Sequence, residues 1–135
     1  MRIKEEVKKR LVAHAKRDAP IEACGYLAGR DGVITGSYEL KNIDRSTEHF
    51  SFDPKEQFAV MKEARAGGFE ILAVYHSHPA SPARPSKEDI TLAYDPNILY
   101  VIVSLAEGRE DVKAFEIKNQ KVSEINLETI KDDRI

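Results

Sequence analysis
This chain of 135 residues contains one cysteine, Cys24. A lone thiol closes no intramolecular disulfide, which excludes the stapled scaffolds of small secreted domains, and it excludes zinc sites built from several cysteines. No stretch approaches the ~20 consecutive apolar residues that a bilayer crossing demands. The opening Met1-Arg2-Ile3-Lys4-Glu5-Glu6-Val7-Lys8-Lys9-Arg10 has no apolar segment of the kind a secretory signal carries. A charge excess is lacking too. The 21 basic residues stand against 23 acidic ones, a formal net charge of −2, so bulk electrostatics give no basis for nucleic-acid binding. Internal repeats, low-complexity tracts and linkers are absent. These absences lead us to expect a cytoplasmic protein with neither a membrane nor a nucleic acid as partner.

What is present is the composition of a packed domain. Hydrophobic residues make up 41% and charged residues 33%, too apolar for disorder and too charged for a membrane protein. A chain this long buries roughly two thirds of the surface its unfolded form exposes, and residues 1–135 are expected to form one domain.

Ile3, Val7, Leu11 and Ala15 recur every four residues. They predict an amphipathic helix ending near Asp18-Ala19-Pro20, because proline disfavours helix in the residue before it. Residues 24–28 and 33–40 flank Asp31-Gly32 and read as an antiparallel hairpin. Phe50 and Phe52 alternate with Ser51 as a short strand. Asp53 is a natural N-cap with Pro54 at the first helical position, and the helix through Phe58, Met61 and Ala64 stops at Gly67-Gly68. Residues 70–75 form a compact apolar strand, expected at the centre of the sheet. Three prolines within 79–85 exclude regular structure. Ser86 opens a short helix to about Tyr94, and residues 98–105, 112–117 and 122–127 read as strands. The order α-β-β-β-α-β-loop-α-β-β-β implies an α/β (α+β) fold, a single mixed β-sheet packed with about three helices.

One segment carries chemistry. In Tyr75-His76-Ser77-His78-Pro79 two histidines at i and i+2 on a strand point to the same face, so their rings can converge on one ion. Asp89 follows in the first turn of the helix that Ser86 opens. Two imidazole nitrogens and one carboxylate oxygen suit Zn²⁺ and leave a fourth tetrahedral position open for water. Peptide hydrolysis also needs a group that moves protons, for which a glutamate with raised pKa is suited. The candidate by sequence context is Glu22. A donor for the oxyanion is needed as well, and Ser86 has the chemistry.

These residues resemble a family. His-x-His, seven residues, Ser, two residues, Asp is the signature of the JAMM (MPN-plus) metalloproteases, and the chain carries it ungapped as His76, His78, Ser86 and Asp89. The upstream Glu22-Ala-Cys-Gly-Tyr-Leu-Ala-Gly29 resembles the family too, and the likeness runs from the first helix to Phe115. The resemblance implies an MPN/cytidine-deaminase-like fold. It implies one Zn²⁺ per chain on His76, His78 and Asp89, Glu22 as general acid/base and Ser86 assisting the oxyanion. The loops that carry the ubiquitin-chain-gripping insertions of eukaryotic members look short here, and the glutamate element looks like the small prokaryotic members, the Mec-type sulfur-carrier peptidases. The implied reaction is hydrolysis of the bond after the C-terminal Gly-Gly of a ubiquitin-like or sulfur-carrier protein, by zinc-activated water with a glutamate base. The site is expected on the rim of the sheet, where an extended tail docks by backbone hydrogen bonds to an edge or loop.

Other readings stand beside this one. Ser86-x-x-Asp89 is also a capping-box helix start, and both roles can hold together. Glu22, more than fifty residues before His76, has no privilege from spacing and reads locally as a loop acid. Cys24 reads as a small buried hydrophobe rather than a redox thiol. His14 reads as a helix-face residue, His49 as a loop residue, and the Phe50/Phe52 pair as core. Two alternative functions remain: a non-catalytic MPN-like protein-binding scaffold, and a RadC-like zinc hydrolase in nucleic-acid metabolism. Scaffold members usually lose a ligand, whereas this chain has all of them. RadC-like proteins typically read His-Asn-His-Pro-Ser-Gly, whereas this chain reads His76-Ser-His-Pro-Ala-Ser81. A zinc deaminase is excluded because no Pro-Cys-x-x-Cys exists.

Overall fold
The computed structural model describes residues 1–131. In chain order the elements are β1 (Arg2–Lys4), α1 (Glu5–Asp18), β2 (Cys24–Arg30), β3 (Val33–Leu40), α2 (Pro54–Ala66), β4 (Glu70–His78), α3 (Lys87–Thr91), β5 (Leu99–Ser104), a 3₁₀ turn (Ala106–Gly108), β6 (Asp111–Lys118), β7 (Lys121–Ile125) and β8 (Glu128–Ile130). The strands form one mixed sheet in the order β7-β6-β5-β4-β2-β3-β1-β8. β7 and β8 hold opposite ends of that order, yet only Asn126 and Leu127 separate them in the chain. The sheet therefore curls until its two ends come together, and the concave face closes on α1.

Period-two alternation sorts the strands' side chains. Leu27, Ala73, Tyr75, Val101 and Val103 face Val7, Leu11 and Ala15 of α1 in the main core. Tyr26, Val74 and Ile102 belong to two smaller clusters on the other face, roofed by the loop after β3 and by the segment around α3. β4 lies inside the sheet, antiparallel to β2 from Glu70 to His76 and parallel to β5 from Ala73 to His78. Both of its faces are covered, which explains its near-continuous apolar run.

The hairpin of β2 and β3 forms as expected, with Asp31 and Gly32 both at positive φ, the conformation its two-residue turn demands. Asp53 caps α2 through Lys55 N–H, and Gly67 ends it. Gly25 is required by close approach: a Cβ there would stand 2.6 Å from the Tyr75 ring.

Four expectations are corrected. The first helix begins at Glu5, not Ile3; Ile3 belongs to β1, paired with both β3 and β8. Its inward side chain falls in line with the helix face, so the four-residue spacing ran across two elements. Phe50 and Phe52 are not a strand, because side-chain hydrogen bonds rather than a ladder hold that loop. α3 ends at Thr91, and beyond it Leu92 and Tyr94 are exposed. The last predicted strand, 122–127, is β7 and stops at Ile125, and β8 beyond it was not expected; the two lie at opposite ends of the sheet and leave no local signal.

Candidate metal centre
His76, Ser77 and His78 are the last residues of β4, and all three are buried. Alternation turns both imidazoles to the face away from α1 and Ser77 to the opposite side. Asp89 approaches from α3, whose start is a full capping box: Ser86 Oγ accepts from Asp89 N–H at 3.0 Å, and Asp89 Oδ2 accepts from Ser86 N–H at 2.9 Å. The cap thus fixes the carboxylate as well as the helix.

His76 Nε2, His78 Nε2 and Asp89 Oδ2 form a triangle with sides of 3.1 Å. Neighbouring ligand atoms of a tetrahedral zinc with bonds of ~2.0–2.1 Å lie about 3.3 Å apart. The match is close. Three lone-pair-bearing atoms packed this tightly repel one another unless a cation or a proton lies among them, so the donor set fits a metal ion. His78 Nδ1–H donates to the Pro82 carbonyl at 2.8 Å, which fixes the tautomer with the Nε2 lone pair facing the triangle. The proline-rich loop that supplies this carbonyl is tied to β5 by Ser104 Oγ–H on Ser81 O, 2.6 Å. Phe50 stacks on His76 with ring centroids 4.8 Å apart.

The electrostatics agree. Burial alone would raise the Asp89 pKa, but the imidazoles of His76 and His78 close to its carboxylate and the hydrogen bond from Ser86 N–H outweigh it and hold the carboxyl well below its usual range. Burial pulls His78 down, and Asp89 and the Pro82 carbonyl more than reverse this, leaving it raised. Glu22 is different. It is only 3% exposed, and its Oε1 has no hydrogen-bond partner. Burial pushes its pKa up to about 8, opposed by His78 and reinforced by Asp89 and Glu88.

Glu22 therefore lies beside the triangle, sharing a hollow of about 580 Å³ with His78, Ser86 and His49. A second hollow, of about 390 Å³ and largely apolar, opens on the other side of His76 and Asp89, against Phe50, Phe52, Tyr26 and Tyr100. The two phenylalanines pack on a core cluster, as expected, but they also wall this hollow. Cys24 is fully buried, its thiol pushed up to about 12 by burial, which suits a hydrophobe and not a reactive thiolate. His49 stays in an exposed loop beside Asp44. His14 is on a helix face but buried, bonded to Tyr75 and Asp18.

Sequence reasoning missed two side chains that hold Glu22. Ser77 Oγ accepts from Ala23 N–H at 2.7 Å, and Ser77 N–H donates to Ala23 O at 2.9 Å. Its place between two candidate ligands, on the opposite face, was the signal available. Asn42 donates to the Glu22 carbonyl at 3.1 Å, and no local pattern announced it.

The family described as prokaryotic homologs of the JAB domain matches residues 4–118. The CysO-cysteine peptidase of Mycobacterium tuberculosis is 34% identical over 125 residues, covering 90% of this chain and 86% of that protein. A Thermus thermophilus protein described as a probable TtuB-protein conjugate cleaving protease is 38% identical over 104 residues, covering 76% of this chain and 66% of that one. Among solved structures, a Desulfitobacterium hafniense protein superposes with a TM-score of 0.89 at 41% identity, covering 98% of this chain and 94% of that one.

Proposed function
Because the chain belongs to the family of prokaryotic JAB-domain homologues, we propose that it is a zinc-dependent peptidase or isopeptidase, one catalytic domain over residues 1–135. It cuts the bond after the C-terminal Gly-Gly of a ubiquitin-like or sulfur-carrier protein in the cytoplasm. The observation that carries the reading is the 3.1 Å triangle of His76, His78 and Asp89 beside a buried, unpartnered Glu22 carboxyl. The relatives named for CysO-cysteine and for TtuB conjugates support the substrate class.

His76, His78 and Asp89 would hold one zinc ion. Bound there, zinc supplies Lewis acidity that polarises the scissile carbonyl and acidifies a water. Glu22 moves the protons: a carboxyl with its pKa lifted to about 8 both accepts and releases a proton at Oε1 near neutral pH, first from the attacking water and then to the leaving amine. Ser86 Oγ already accepts a hydrogen bond from Asp89 N–H, so its own hydroxyl proton is free to donate to the substrate oxygen as charge develops there. β2 covers one edge of β4 as far as His76 and β5 covers the other from Ala73 to His78. The substrate tail therefore docks against the loops around the triangle, not by extending the strand that bears the histidines. Glycine before the cut lets the substrate backbone approach the triangle closely.

The test uses a ubiquitin-like carrier extended by one or a few residues past Gly-Gly, incubated with zinc-loaded protein and followed by mass spectrometry. Trimming back to Gly-Gly, blocked when valine replaces the last glycine, is the expected result. Equal cleavage of the valine version or of unrelated unstructured peptides overturns the substrate assignment.

A further inference from the structure
The loop from 41 to 53 joins β3 to α2 and has no regular structure, yet one side chain organises it. Asn42 is 7% exposed. Its Nδ2 donates to the carbonyls of Glu22, at 3.1 Å, and His49, at 3.0 Å. Its Oδ1 accepts from Asp44 N–H at 3.1 Å and Ser51 N–H at 3.3 Å. The amide thus uses two donor and two acceptor sites at once, near the limit of what the group can make. Three of these bonds close the loop on itself. The fourth leaves the loop and reaches the backbone of Glu22, whose own N–H donates to Ser46 O in the same loop at 2.9 Å.

The Glu22 side chain cannot orient itself, since Oε1 has no hydrogen-bond partner. Its direction must come from the backbone. That backbone is gripped on one side by the loop through Asn42 and Ser46, and one residue later by β4 through Ser77 on Ala23. The loop also carries Phe50, stacked on His76. A single amide therefore ties the Glu22 carboxyl and the packing of His76 to one rigid unit.

We propose that Asn42 is the positioning residue that sets Glu22 against the triangle of His76, His78 and Asp89. It touches neither substrate nor metal; it acts through the Glu22 backbone. The proposal rests on the role given to Glu22 above, and its test separates the two. Asn42→Asp is isosteric and keeps the two acceptor bonds within the loop, while losing the donors to His49 O and Glu22 O; Asn42→Ala loses all four. A loop-shaping role alone predicts a loss that persists in the Glu22→Gln background, and a positioning role predicts that it vanishes there.

The experiment is a double-mutant cycle on the zinc-loaded protein with the extended carrier as substrate, crossing Asn42→Asp with Glu22→Gln. The expected result is at least a tenfold drop in kcat for Asn42→Asp with KM and zinc stoichiometry unchanged, and no further drop when it is added to Glu22→Gln. Amide hydrogen exchange of the metal-free protein supplies a readout independent of activity: Glu22 N–H should exchange at least tenfold faster in Asn42→Asp. Asn42→Ala repeats both measurements if the introduced charge prevents folding. Wild-type kcat in Asn42→Asp beside a crippled Glu22→Gln overturns the positioning role alone, as does a fully additive cycle or unchanged protection at Glu22. Wild-type turnover in Glu22→Gln overturns the role of Glu22 and the proposal with it.

Discussion
Two buried histidine clusters sit on opposite faces of the same strand and differ in one respect. On the α1 side, His14 Nδ1 accepts from the Tyr75 hydroxyl at 2.7 Å, and Nε2–H donates to Asp18 at 3.0 Å. Burial lowers the His14 pKa, so the ring is neutral, and its two nitrogens are satisfied by one donor and one acceptor. On the other side, His76, His78 and Asp89 turn three lone pairs onto one point, and Glu22 is buried without a partner for Oε1. The first cluster closes its own hydrogen bonds and stabilises the packing of α1. The second is incomplete as protein alone. Buried polar groups that balance among themselves serve structure; those that do not balance need a ligand.

The comparison breaks most severely at the triangle. Asp89→Ala or His78→Ala should abolish stoichiometric zinc binding and lower turnover by ~10³ or more, with the fold retained. Metal analysis and rate are measured on the same sample, and stoichiometric tight zinc in Asp89→Ala would remove that carboxylate from the ligand set. Glu22→Gln comes next. It should keep zinc while turnover falls by ~10²–10⁴, since the amide has the shape but not the proton. Ser86→Ala should cost ~10²–10³ in kcat and ~1 kcal/mol of stability through the lost cap. A lower melting temperature with unchanged kcat would leave only the cap.

The same contrast has a pH dependence. The Glu22 pKa is raised in the folded state from an ordinary 4.5 to about 8, so the folded protein favours the protonated carboxyl. Its contribution to stability is complete below about 4.5 and is lost as pH rises through about 8. Metal-free Glu22→Gln should therefore gain stability relative to metal-free wild type between those limits, by a few kcal/mol at most, as read from urea unfolding at a series of pH values. An equal difference at pH 4.5 and 9 would show that Glu22 is not desolvated. The smallest effect belongs to the closed cluster. Tyr75→Phe leaves His14 Nδ1 unsatisfied and should cost ~1–3 kcal/mol with zinc stoichiometry unchanged. A loss of zinc in that variant would mean that the two faces of β4 are coupled.

The elements most legible in the sequence are those whose signals are local. The Asp31-Gly32 turn, the Asp53-Pro54 helix start and the proline-rich loop each arise from the backbone preferences of a few residues. The spacing of His76, His78 and Asp89 was legible for the same reason: two histidines on alternate strand positions and an aspartate in the first turn of a capped helix are short-range geometry. β1 and β8 were invisible because each is three residues long and exists only through partners far away in the chain. The Phe50–Phe52 alternation misled because a loop held by Asn42 can present two rings side by side as a strand does. Glu22 offered only a family likeness, and nothing local marked Asn42.

The sequence by itself determined the donor set, since the identity and spacing of His76, His78, Ser86 and Asp89 set which atoms are offered and on which face. Only the tertiary structure decided that a carboxylate more than fifty residues upstream meets them. β2 pairs with β4 so that Cys24 stands opposite His76, Ser77 clasps Ala23, and Asn42 holds the Glu22 carbonyl. The raised pKa of Glu22 follows from that assembly. Desolvation is a property of what surrounds a group, and the surroundings come from segments that no local stretch of sequence contains.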